Sequence, residues 1–122
     1  MKILFASSER DLLMTYSRLL EAEGFPVLTA FDGPGLISQL GAERLLVICD
    51  ARLPRLDTRQ LLGFLKEEKM PVLLLLDEKP APPLYRELLP ENAFLYYPFS
   101  PRELIGRVRS LLANTESEAD AS

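Results

Sequence analysis

The chain has 122 residues, 48% of them apolar and 26% charged, which supports one globular domain with its own core and excludes a disordered body. Its net charge of -4 argues against a nucleic-acid surface on this domain, because binding phosphates needs a clustered basic excess. With no histidine and one cysteine, it has no imidazole acid–base catalysis, no serine–histidine nucleophile, no internal disulfide and no cysteine–histidine zinc site.

The first apolar run, residues 2–6, predicts a strand and turns polar at Ser7, too early for a signal-peptide core. Leu12, Leu13, Tyr16, Leu19 and Leu20 then follow helical spacing, with Gly24 as a stop signal and Ser7 or Ser8 placed to cap the start. Further strands are expected over residues 26–30 and 45–49. Cys49, inside the second of these runs, reads as a small hydrophobe and fits a reducing cytoplasm. Asp57 and Gln60 offer a cap for the helix that follows. Residues 71–76 predict a fourth strand, after which Lys79-Pro80-Ala81-Pro82-Pro83 should shorten the next helix to about residues 84–89. A fifth strand is expected over residues 93–96. Ser100-Pro101-Arg102-Glu103 supplies an N-cap, a first-turn proline and a capping-box glutamate for the last helix. No apolar run approaches membrane-spanning length. Residues 114–122 lack any large apolar side chain and are expected to be a flexible tail or linker, leaving residues 1–113 as the domain.

Strand–helix alternation repeated five times implies right-handed crossovers and a parallel sheet covered on both sides: an α/β, doubly wound fold. Ligands of such sheets sit beyond the carboxyl ends of the strands. That directs attention to Ser7, Ser8, Asp50, Leu76, Asp77 and Tyr97. Taken alone, Asp50 reads first as a loop aspartate capping nearby amides, Tyr97 as a half-buried aromatic, and Glu9, Asp77, Arg52 and Arg55 as solvated charges.

Four segments in order carry a resemblance. They are Lys2-Ile3-Leu4-Phe5-Ala6-Ser7-Ser8-Glu9, Asp50-Ala51-Arg52-Leu53-Pro54, Pro71-Val72-Leu73-Leu74-Leu75-Leu76, and Phe94-Leu95-Tyr96-Tyr97-Pro98-Phe99-Ser100-Pro101. Together they resemble the receiver domain of two-component response regulators, closest to the N-terminal domain of the winged-helix members. The resemblance implies a CheY-like, flavodoxin-like three-layer sandwich with strand order 2-1-3-4-5, and makes Asp50 the phosphoacceptor position. In that family two acids after the first strand help the acceptor to hold Mg²⁺, a hydroxyl after the fourth strand binds the phosphoryl group, and a lysine before the proline pairs with it. Here those positions are Ser7, Ser8, Leu76 and Tyr97, so weak or absent Mg²⁺ binding and no catalytic residue are expected.

The resemblance places a switch aromatic at Phe94, expected to stay buried in a single state because Leu76 has no hydroxyl to be drawn toward a phosphoryl group. It also makes Arg107 and Arg109 candidates for a dimer face, with a solvated helix face as the other reading. The Tyr97–Pro98 bond is expected to be cis. The implied function is an atypical receiver, cytoplasmic and bacterial, that regulates an output through a homodimer or protein partner, without enzymatic activity, membrane contact or nucleic-acid contact of its own. The rival function is a receiver still phosphorylated on Asp50 by a histidine kinase, with Glu9 or Asp77 as substitute metal ligands. A small-molecule binder of flavodoxin-like shape lacks a glycine-rich loop after the first strand.

Overall fold

Apolar runs without alternation suit strands covered on both faces, and the two longest such runs form the centre of the sheet. In the computed structural model, which describes residues 1–41 and 43–121 apart from the side chains of 115–121, every side chain of β3 (Leu45–Asp50) and β4 (Val72–Leu76) is buried. β1 (Lys2–Ala6), β2 (Val27–Ala30) and β5 (Phe94–Tyr96) complete a five-stranded parallel sheet of order β2-β1-β3-β4-β5. The helices are α1 (Arg10–Ala22), α2 (Gly33–Gln39), α3 (Thr58–Glu67), α4 (Pro83–Leu88) and α5 (Pro101–Ala121), with a 3-10 turn at Glu91–Ala93. This is the expected doubly wound α/β sandwich.

The period of two along each strand divides the core into two layers. Leu4, Val47, Cys49, Leu74, Leu76 and Phe94 pack under α2 and α3 through Leu36, Leu62 and Leu65. Ile3, Phe5, Ile48, Leu73 and Leu75 pack under α1 and α5 through Leu13, Leu20, Leu104 and Val108. At each edge of the sheet a side chain takes one outward carbonyl: Gln39 Nε2 donates to Thr29 O on β2, and Arg107 Nη1 donates to Phe94 O on β5.

Local signals account for most helix ends. Gly24 takes φ +97° and ends α1, a left-handed conformation that glycine adopts without steric cost. Asp57 accepts from Gln60 N at 3.1 Å, and Ser100 and Glu103 exchange both bonds of a capping box at 3.1 and 3.2 Å. The start of α1 differs from expectation. Its N-cap residue is Glu9, which makes no side-chain cap bond, while Ser7 Oγ accepts from Glu9 N at 3.1 Å and closes the turn just before the helix.

α4 begins at Pro83 and ends at Leu88, shifted by one residue from the predicted span, because proline fits a first helical turn where no N–H is required. The α5 backbone stays helical to Ala121, through residues expected to be a tail, since extending an existing helix is easier than nucleating one. Leu111 is the last buried side chain of α5 among the described residues; residue 122 and the side chains of 115–121 lie outside them. Both Lys79–Pro80 and Tyr97–Pro98 are cis, the second as expected.

Cys49 has no exposed surface; burial first, and then the adjacent Asp50 charge, push its thiol from 9.0 up to about 12. The folded state thus keeps a proton that the unfolded chain gives up above pH 9. Stability present below pH 9 is lost as pH rises toward 12, at about 1.4 kcal/mol per pH unit for this one group. Urea unfolding between pH 8 and 10.5 is expected to show a shallower decline in Cys49→Ala. Parallel declines in the two proteins would show that Cys49 is not the group responsible.

Candidate functional site

In a parallel sheet all carboxyl ends lie on one edge, so the loops after β1, β3, β4 and β5 converge there. The structure brings Ser7, Asp50, Asp77 and Tyr97 to that edge. Asp50, the last residue of β3, is 1% exposed, and both its oxygens are engaged by the protein. Oδ1 accepts from Arg52 N at 2.9 Å and Arg52 Nε at 3.2 Å; Oδ2 accepts from Arg52 Nη2 at 3.2 Å and the Tyr97 hydroxyl at 3.1 Å. The third guanidinium nitrogen, Nη1, lies 3.1 Å from Asp77 Oδ2, and the guanidinium carbon sits 5.3 Å from the Tyr97 ring centroid.

This corrects the expectation that Arg52 is exposed and unpaired from Asp50. Its side chain is half exposed and makes a fork-shaped ion pair with that carboxylate. The cause is local: Asp50 Oδ1 accepts the backbone N–H two residues on, an Asx turn that brings the residue 52 side chain back over the carboxylate. An aspartate at a strand end followed two residues later by arginine is the signal that could have found it. Arg55 does stay away from Asp50, pairing with Asp32 across the neighbouring loops.

Tyr97 reaches Asp50 where the resemblance places a lysine, but supplies a neutral donor. Burial, then the charge of Asp50, raise the phenol above its ordinary value while Arg52 pulls the other way, so the hydroxyl keeps its proton and its bond. The hydrogen bonds that Arg52 itself donates to Asp50 raise its guanidinium above the usual arginine value and keep it protonated. Tyr97 packs against Phe99 with tilted rings 5.0 Å apart, and Phe99 likewise against Tyr16 at 5.3 Å, which ties the site to α1.

The other positions are quieter. Ser7 is buried, with its oxygen accepting from Glu9 N, while Ser8 and Glu9 are exposed. Leu76 and Phe94 are both core residues of the α2–α3 layer, and Phe94, 1% exposed, points inward as expected. Among the described residues no group of three or more Asp, Glu or Cys side chains gathers in a way that could hold a metal ion. Arg107 and Arg109 diverge, as two positions apart on a helix must. Arg107 donates to the carbonyls of Asn92 and Phe94, whereas Arg109 pairs with Glu23 at the end of α1 at 2.5 Å. They do not share one face.

No family model matches the chain. It is 32% identical to the alkaline phosphatase synthesis transcriptional regulatory protein PhoP of Bacillus subtilis, across 99% of this chain and 52% of that protein. It is 31% identical to the transcriptional regulatory protein CpxR of Escherichia coli K12, across 91% of this chain and 49% of that protein. The chain therefore spans about half the length of the curated relatives it matches. A solved signal receiver domain of an HD domain-containing protein from Pseudomonas fluorescens Pf-5 superposes with a TM-score of 0.81 at 25% identity, covering 98% of this chain and 91% of that one.

Proposed function

Because the chain belongs to the receiver domains of two-component response regulators, we propose that it is an atypical member that works without phosphorylation, regulating an output by homodimerisation or by binding a protein partner. The observation that carries this reading is the saturation of Asp50: both carboxylate oxygens are occupied by Arg52 and Tyr97. An attacking carboxylate must be free to approach phosphorus in line, and phosphoryl transfer depends on positioned positive charge around the transferred group. Here the cation beside Asp50 is spent on Asp50 itself.

The residues present do not fit Mg²⁺, which dehydrates reluctantly and is held through carboxylates. Ser7 and Ser8 are neutral, and Asp77 is drawn to Arg52. Leu76 offers no donor to a phosphoryl oxygen, and Phe94, buried in the same core layer, suits one fixed state. Contacts with a homodimer or partner would be made by helix faces; Arg107 would first have to leave two backbone carbonyls to form a salt bridge between copies. A DNA-binding or other output would belong to a further part of the full-length protein, and the setting would be the cytoplasm. Among the described residues no helix is long and apolar enough to cross a membrane.

The rival reading, phosphorylation of Asp50 by a histidine kinase, rests on the retained aspartate and requires Arg52 and Tyr97 to withdraw. Titrating Mg²⁺ with beryllofluoride into the ¹⁵N-labelled protein separates the two. No saturable change is expected at Asp50, Leu76 or Tyr97; saturable shifts at low-millimolar Mg²⁺ would reinstate phosphorylation.

A further inference from the structure

We propose that Arg52 is a tethered cation that clasps three loops and holds the domain in one arrangement, an inference that rests on the phosphorylation-independent reading above. A guanidinium carries five donors in a rigid plane, so one side chain can fork onto one carboxylate and still reach a second. Arg52 does both: Nε and Nη2 take Asp50 at the end of β3, Nη1 takes Asp77 just beyond β4, and the plane sits near the Tyr97 ring just beyond β5. Lysine, a single point charge, could not hold the fork and the bridge together.

The clasp fixes the β4–α4 connection at its start, through Asp77. Pro80 and Pro82 have no N–H to donate, and Asp77 makes no other ion pair among the described residues. Beyond Arg52, this connection is held by burial of Ala81 in the core, a 3.2 Å hydrogen bond from Ala81 N to the Tyr96 hydroxyl, and Lys79 over the Tyr96 ring. α4 has no fully buried residue and is held at the far end by the partly buried Tyr85 and Leu88 against the core. Charge explains why the clasp persists although Arg52 is half exposed. Asp50 is buried, and losing the guanidinium would leave its carboxylate with only the Tyr97 hydroxyl and one backbone N–H.

Amide hydrogen exchange on the full chain tests the clasp at three bonded amides, Ala51, Ala81 and Tyr97, one for each loop. In Arg52→Gln all three are expected to exchange at least tenfold faster. Asp77→Asn should speed Ala81 chiefly, and Arg52→Lys should fall between wild type and Arg52→Gln. Arg55→Gln, which removes an arginine from the adjacent Asp32 pair, should leave the three amides unchanged. Wild-type protection in Arg52→Gln would overturn the proposal. If that variant fails to fold, unchanged exchange of Ala81 in Asp77→Asn, at a half-exposed position, overturns it as well. The Mg²⁺ response of the wild-type protein is a separate measurement, so failure of the clasp and failure of the phosphorylation-independent reading are told apart.

Discussion

Gly33→Ala is expected to destabilise the domain by about 3 kcal/mol, lowering the melting temperature by roughly 10 °C. A Cβ at this position would lie 2.0 Å from the carbonyl oxygen of Arg55 and 2.6 Å from its carbon, both backbone atoms with no rotamer to yield. Relieving the overlap would separate the loop before α2 from the loop before α3. That motion breaks the 2.8 Å bond from Gly33 N to Pro54 O and loosens the Asp32–Arg55 ion pair. The strained left-handed conformation of Arg55, φ 57°, leaves little freedom on the other side. Gly106→Ala is the control: it lies within α5, meets nothing within 4 Å, and should stabilise by about 0.5–1 kcal/mol through helix propensity. Thermal unfolding of the two variants should shift in opposite directions. An unchanged melting temperature in Gly33→Ala would mean that the two loops are not held at this approach.

Asp50→Ala is expected to cost about 2 kcal/mol and Asp50→Asn about 1 kcal/mol, measured by urea unfolding at neutral pH. Alanine strips acceptors from the Tyr97 hydroxyl, the Arg52 backbone N–H and two guanidinium nitrogens at once. The loss stays moderate because Arg52, half exposed, can turn to water or fully to Asp77, and because removing a buried charge also removes its desolvation cost. Asparagine keeps one acceptor oxygen and the shape of the turn. From sequence, both substitutions are expected to leave the fold almost untouched; the geometry instead gives Asp50 a structural duty. A gain in stability in Asp50→Ala would show that the carboxylate is strained, with its partners compensating incompletely.

The sheet was readable because its signals are local and repeated. Unbroken apolar runs name β3 and β4, and Gly24, Asp57 and the Ser100–Glu103 box mark helix ends through bonds made within a few residues. The positions of Asp50, Ser7, Leu76 and Tyr97 at one edge followed from topology, since a parallel sheet sends every strand end the same way. Arg52 was not readable in the same manner. Its partners lie 2 and 25 residues away: the Asp50–Arg52 spacing is a local signal for the first, but nothing in the sequence brings Asp77 within reach. The start of α1 failed differently. Ser7 has the right side chain for a cap, but its oxygen closes a turn two residues on, and the helix begins two residues later than a Ser7 cap would start it.

An open sheet has two unfinished borders, and a row of free carbonyls and amides there can template a strand from another molecule, the first step toward fibrous aggregation. Gln39 at the β2 border and Arg107 at the β5 border each occupy a carbonyl that an incoming strand would need. A guanidinium at one border adds a charge that a stacked copy would bring against its own kind. Each border thus has one of its outward carbonyls taken, which works against continuation of the sheet by another copy of the domain.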